Sequence, residues 1–264
     1  MITPRPWCVR CPDWMCVVLL EVHDVDKTFT NRFGSVTAAF GVSFEVSAGE
    51  CFGLIGESGS GKSTIASIVS GTLAPDSGTV CLDGQALDTR SARSRKAHQR
   101  KLQMVFQDPR ASFNPRMKVM DALREPLIHK LGRAKDEADA AIEQVMEQVN
   151  LPTGMLRRGV HTISVGQAQR VAIARALVSS PRAIFADEPS GALDQATGHE
   201  MMQLLTAAVS MAGATLVVVT HDVNVARWCS RLIEIRDGLV HSDRLLNVDT
   251  ANRSAQAAGM ETIR

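Results

Sequence analysis

Residues 56–63 read Gly56-Glu57-Ser58-Gly59-Ser60-Gly61-Lys62-Ser63, a gapless match to the pattern G-x-x-x-x-G-K-[ST]. An apolar, strand-like run at 51–55 leads into this stretch, and a helical pattern at 64–69 follows it and stops at Gly71. That context suits a phosphate-binding loop. Glycines let successive backbone N–H groups close around anionic oxygens, and the following helix aims its positive end at them. In such a loop the backbone of Gly56, Ser58, Gly59, Ser60 and Gly61 forms the cradle, with Thr64 just beyond it. Lys62 reaches the outer phosphates, and the Ser63 hydroxyl joins the shell of a Mg²⁺ ion. The plainer reading is a glycine-rich turn that holds no nucleotide, so the weight of the motif depends on what lies downstream.

Downstream, the apolar run Ala183-Ile184-Phe185-Ala186 ends abruptly in Asp187-Glu188. A buried strand that delivers two carboxylates at its C-terminal end puts them where open α/β sheets bind ligands. Asp187 is the candidate Mg²⁺ holder and Glu188 the candidate for polarising an attacking water. A further strand-like run, 215–220, ends in His221-Asp222. There His221 can sense a terminal phosphate; the plainer alternative is a capping or core-satisfied histidine.

The bulk of the chain allows this chemistry and narrows the rest. At 264 residues with 45% hydrophobic content, it suits one large α/β domain, or one with a substantial insertion. The 29 Lys+Arg balance 28 Asp+Glu, which gives no global case for binding nucleic acid or a membrane surface. No apolar run approaches the roughly 20 residues of a membrane-spanning helix, which points to a soluble, intracellular chain. Strand-like runs at 16–22, 42–46, 51–55, 79–82, 102–106, 183–186, 215–220 and 232–236 predict a mostly parallel sheet covered by helices. The early runs cluster as in an antiparallel subdomain, with turns at 47–49 and 83–84. Ala138, Ala141, Ile142, Val145 and Val149 recur at helical spacing, which predicts a helical subdomain over about 108–180.

Smaller features have bland readings. Residues 1–14 read as an extension outside the fold, residues 15–245 as the domain, and 246–264 as a tail. Cys8 and Cys11 form one C-x-x-C without a second pair or a histidine partner nearby, and Cys51 and Cys81 read as buried small hydrophobes. The basic stretch 90–101 reads as a solvated helix face, with nucleic-acid contact as the minor alternative.

The ordered set GESGSGKS, VFQD, ISVGQAQR, IFADEP, ALD and VTHD resembles the nucleotide-binding subunits of ATP-binding cassette (ABC) transporters. The resemblance covers about residues 17–242. It implies an ABC-type P-loop NTPase fold and hydrolysis of ATP with Mg²⁺. It also implies two cassettes that sandwich two ATP molecules, each phosphate loop facing the partner's signature motif. By this resemblance the signature includes Ser164, Gly166 and Gln167, Asp194 is the D-loop aspartate, and His221 is the switch histidine. Gln107 is the glutamine that joins the Mg²⁺ site to the membrane subunit. Phe29 is the ring that stacks on adenine, with Phe33 as its competitor.

After Gln107, the runs QDPRASFNPRM and REPL resemble importers for oligopeptides, dipeptides and nickel. That implies integral membrane permease subunits, a second ATP-binding subunit, an extracytoplasmic solute-binding protein and a place on the cytoplasmic face of the inner membrane. The chain stops soon after residue 242, as shorter nickel-type subunits do. The SGALD and VTHDVNVA stretches lean instead toward exporter-like or lipoprotein-releasing relatives, and the solute stays open among peptide, nickel and metal chelates.

The signature departs from the family's usual LSGGQ, with Val165 at its third position. Ser164 and Gln167 form a capping-box pattern, which predicts a helix starting at Val165 with an ordinary negative φ. The backbone N–H there survives, and what changes is bulk. The expectation is weaker hydrolysis at the composite site this signature serves.

Overall fold

The computed structural model describes residues 17–32, 34–191 and 193–246. The extension, the Cys8–Cys11 pair, Phe33 and the tail from 247 lie outside the described residues. In chain order the strands are β1 (Val18–Asn31), β2 (Gly34–Ser47), β3 (Cys51–Ile55), β4 (Ser77–Leu82), β5 (Gln85–Ala86), β6 (Leu102–Val105), β7 (Ala183–Asp187), β8 (Thr215–Thr220), β9 (Arg231–Arg236) and β10 (Leu239–Leu245). The helices are α1 (Lys62–Val69), α2 (Ala92–Lys101), α3 (Val119–Glu125), α4 (Lys135–Gln148), α5 (Val165–Leu177), α6 (Gln195–Met211) and α7 (Val223–Ala226).

Two sheets result. The first is antiparallel in the order β2-β1-β4-β5, and the second runs β10-β9-β3-β8-β7-β6. In the second sheet the neighbours β9, β3, β8, β7 and β6 are parallel, and β10 closes the edge antiparallel to β9. All six residues of β8 are buried, as in a strand covered on both faces.

Alternation along these strands separates two apolar layers. Phe185, Val217 and Val219 pack with Phe52, Leu54, α1 and the antiparallel sheet. Ile184, Ala186, Leu216 and Val218 pack with α3, α4, α5 and α6. Side chains of period two therefore hold the antiparallel sheet on one face and the helical layer on the other.

The antiparallel strands are longer than their sequence pattern predicts. Register shifts between Val22 and Thr28, with Asp24 at φ 45°, break the alternation of β1. The first half of β2 is hidden because residues 34–37 are all exposed and no alternation of apolar with polar residues marks a buried face. Edge strand β10, half exposed and charged, has no counterpart in the sequence reading. The turn at Asp83-Gly84 takes φ of 55° and 69° between paired Leu82 and Gln85, the two-residue hairpin geometry that favours Asp-Gly. Cys51 and Cys81 are half-buried rather than buried. Cys51 heads its strand at the rim of the sheet, and Cys81 lies in the antiparallel sheet with its open face.

Candidate nucleotide site

Three adjacent strands end at one place. Ile55 pairs with Thr220, and Asp187 pairs with Val219, so the ends of β3, β8 and β7 are level. Gly56, His221 and Glu188 therefore leave the sheet side by side.

The loop after β3 is shaped by close backbone approach. A Cβ on Gly56 would lie 2.2 Å from the Ile235 carbonyl oxygen, and one on Gly61 would lie 2.0 Å from that of Ala38. Both sites also have positive φ, 155° and 105°, so a side chain is excluded twice over. The Gly238 N–H donates to the Ser60 carbonyl at 3.0 Å and braces the loop from the β9–β10 turn. Gly61 caps α1 without any side-chain bond, and no acid occupies the first turn. The open N-terminal amides and the dipole of α1 thus favour an anion.

Lys62 is 6% exposed. Its ammonium donates to the Gly56 carbonyl at 2.8 Å, the Glu57 carbonyl at 2.6 Å and the Ser60 hydroxyl at 3.4 Å. Burial pushes its pKa down, while Glu188 and Asp187 oppose the fall. Asp187 shows the reverse. Burial, then the neighbouring Glu188, hold its carboxyl above the usual range, against the pull of Lys62 and a hydrogen bond from Ser63. A partly desolvated cation and a carboxylate thus share one site with a serine hydroxyl, which fits a Mg²⁺–phosphate group in both charge and donor type.

Glu188 has a left-handed backbone, φ 47°. Its N–H donates to the Val219 carbonyl at 2.8 Å, and its own carbonyl accepts from Gly191 at 3.0 Å. The carboxylate accepts from the Thr220 hydroxyl at 3.0 Å, the His221 N–H at 3.0 Å and His221 Nδ1 at 2.5 Å. Gln107 follows β6, and its amide nitrogen would lie 3.2 Å from a Cβ on Gly191, beside the same loop.

Lys62, Ser63, Asp187, Glu188, His221 and Gln107 are therefore neighbours. The other sequence-predicted residues stand apart. Among the described residues, no hydrogen bond joins Ser164, Gly166, Gln167, Asp194 or Phe29 to Lys62, Asp187 or Glu188. Ser164 and Gln167 close a capping box on α5, at 3.2 and 3.1 Å. Val165 opens that helix 36% exposed, and a Cβ on Gly166 would meet nothing within 4 Å. Asp194 caps α6 by accepting from the Thr197 N–H and hydroxyl, which hold its carboxyl below the usual range. Phe29 is 45% exposed on β1, with the Lys27 ammonium 5.8 Å from its ring centre.

The run after Gln107 is built onto α5. Arg110 donates to the Ile163 carbonyl at 2.6 Å, and Arg175 to that of Ser112 at 2.8 Å while lying 4.6 Å from the Phe113 ring centre. Sequence reasoning missed two residues that touch the site. Thr220 binds Glu188, and buried Gln169 donates to the Pro189 carbonyl at 3.0 Å. Their places, inside VTHD and QAQR, were the signal.

A phosphate loop, a strand-end acid pair and a histidine on adjacent parallel strands define a nucleotide-hydrolysing α/β domain. The family model described as ABC transporter matches residues 40–191, and the chain belongs to that family. It is an ABC-type ATPase cassette. It is 36% identical to the oligopeptide transport ATP-binding protein OppF of Streptococcus mutans over 89% of this chain and 75% of that one. The OppF of Bacillus subtilis matches at 36% over 89% and 76%. Among solved structures, a dimeric ATP-binding cassette, MJ0796, bound to ADP and Pi superposes with a TM-score of 0.79 at 33% identity, over 87% of this chain and 99% of that one. No helix among the described residues is long and apolar enough to cross a membrane.

Proposed function

We propose that this chain is the ATP-hydrolysing subunit of an importer for peptides, working beneath a membrane permease at the cytoplasmic face of the inner membrane. The observation that carries the reading is its similarity to oligopeptide transport ATP-binding proteins across 89% of its length. The importer-like run 107–117 supports it, since that run is held to α5 by Arg175 and to Ile163, just ahead of α5, by Arg110. Its partners are integral membrane permease subunits, a second ATP-binding subunit and, indirectly, an extracytoplasmic solute-binding protein. No nucleic acid is involved.

Ser63, Asp187 and Gln107 would hold Mg²⁺, which when bound neutralises charge on the outer phosphates. The backbone of 56–61 and the N-terminus of α1, through Thr64, orient the phosphates of ATP. Lys62 leaves the Gly56 and Glu57 carbonyls for the β- and γ-phosphates, a trade of neutral acceptors for charged ones. Glu188 polarises the attacking water, and His221 faces the γ-phosphate from the end of β8. Phe29 stacks on adenine. Ser164, Gly166 and Gln167 serve the γ-phosphate of the partner cassette, and Asp194 lies at the seam between cassettes. Closure of two cassettes around ATP and reopening after hydrolysis passes through Gln107 to the permease.

The test is ATP binding and solute uptake in the reconstituted complex. Lys62→Ala is expected to abolish ATP affinity, and labelled peptide to enter only with the unaltered chain. Uptake of nickel instead of peptide, or outward transport, would overturn the solute assignment. Unchanged affinity in Lys62→Ala would overturn the site.

A further inference from the structure

Thr220, the last residue of β8, is 1% exposed and has no part in the steps above. Its hydroxyl donates to Glu188 Oε2 at 3.0 Å and accepts from the Asp222 N–H at 3.0 Å. The second bond matters for the first. With the Asp222 amide filling one lone pair, the hydroxyl proton is turned toward the carboxylate.

An ionised carboxylate offers about four acceptor positions, two on each oxygen. On Oε1 both are filled, by the His221 backbone N–H and by His221 Nδ1. On Oε2 Thr220 fills one. Among the described residues nothing fills the remaining position, which is on the oxygen that Thr220 holds. The backbone of Glu188 is fixed to the same strand through the Val219 carbonyl. Side chain and main chain are therefore both tied to β8, and the carboxylate cannot turn without breaking one of these bonds.

We propose that Thr220 is a positioning residue for ATP hydrolysis: it fixes the Glu188 carboxylate so that Oε2 presents its one open lone pair to the attacking water. This rests on the reading of Glu188 as the water-polarising group. The alternative is a purely structural hydroxyl that satisfies the Asp222 amide at the start of α7.

Phosphate release from magnesium ATP by the reconstituted complex carrying this chain separates these, with ATP affinity and thermal melting of the full-length chain measured alongside. Thr220→Val is expected to lower kcat about 10- to 100-fold, the scale of a small misplacement of a reacting group, while KM for ATP stays within about two-fold of its starting value. Thr220→Ser keeps the hydroxyl and is expected to restore kcat. Should the valine variant not fold, Thr220→Ala removes the hydroxyl with less bulk and is read the same way. An unchanged kcat without the hydroxyl, a loss confined to ATP affinity, or failure of Thr220→Ser to restore turnover in a folded protein would each overturn the proposal. Glu188→Gln is the separate control. If it retains full turnover, the reading of Glu188 itself is wrong, whatever Thr220 does.

Discussion

The buried side-chain amide of Gln169 donates to the Pro189 carbonyl at 3.0 Å, so α5, which opens at the signature, is tied to the residue that follows Glu188. Pro189 is itself buried, and water cannot replace a lost donor there. Gln169→Leu is therefore expected to destabilise the fold by about 1–3 kcal/mol, the cost of an orphaned buried acceptor. Turnover should fall because the Glu188 loop loses its brace, with ATP affinity largely kept. Denaturant unfolding and phosphate release on the same preparation check this. A variant as stable and as active as the starting chain would show that the bond carries nothing.

Val165 makes a second case, because its backbone is ordinary and its bulk is not. It is the first residue of α5, outside the left-handed region, and its side chain stands exposed beside Gly166. Val165→Gly is expected to cost up to about 1 kcal/mol of helix stability. It should nevertheless raise the hydrolysis rate of the assembled complex, by giving the partner's γ-phosphate closer access to the α5 N-terminus. Phosphate release by reconstituted complexes of the two chains decides it, and an equal or lower rate removes the idea.

How much of this was legible in the sequence follows the range of each interaction. The phosphate loop needs only eight consecutive residues, and the acid pair only an apolar run before it, so Lys62, Asp187 and Glu188 could be named from spacing alone. The helix start at Val165 was equally local, because Ser164 and Gln167 sit three apart and close their box. The carbonyls that crowd Gly61 and Gly56 come from Ala38 and Ile235, which no local pattern connects to the loop. Thr220 looks like one more β-branched strand residue until Glu188 is seen against it. The first half of β2 was lost for another reason: residues 34–37 are all exposed, and Val36 and Phe40 are apolar yet open, so no apolar alternation marks a buried face there.

Asp187 illustrates a cost borne at the site. Burial and Glu188 hold its folded pKa above the ordinary carboxylate value. A raised folded pKa gives stability that is fully present below the unfolded value, about 3.9, and lost as pH rises through the folded value. Ionising the side chain therefore works against the fold. Asp187→Asn is expected to melt at a higher temperature than the starting chain at pH 7, with the gain shrinking toward pH 4 as both forms become uncharged, and to lose ATP hydrolysis. Melting curves across that range, measured without nucleotide, test the sign. A lower melting temperature at pH 7 would mean that the contacts to Lys62 and Ser63 outweigh the burial.

His98 acts in the opposite direction and in a different pH window. It is buried under the C-terminal end of α1, where its Nε2 donates to the Val69 carbonyl at 2.6 Å. Burial lowers its pKa, with nearby Lys101 adding to the fall and the Val69 bond opposing it. The folded form is therefore neutral where the unfolded chain, near 6.5, begins to take up a proton. A depressed folded pKa gives stability that is present above the unfolded value and lost as pH falls through the folded one. Acid should thus loosen α2 from α1, the helix that begins at Lys62. His98→Gln can keep a donor to Val69 without titrating. Its unfolding free energy is expected to fall less steeply than that of the starting chain as pH drops from about 6.5 toward 5. Denaturant titrations at half-unit pH intervals give the two slopes, and identical slopes would place the acid sensitivity on another group.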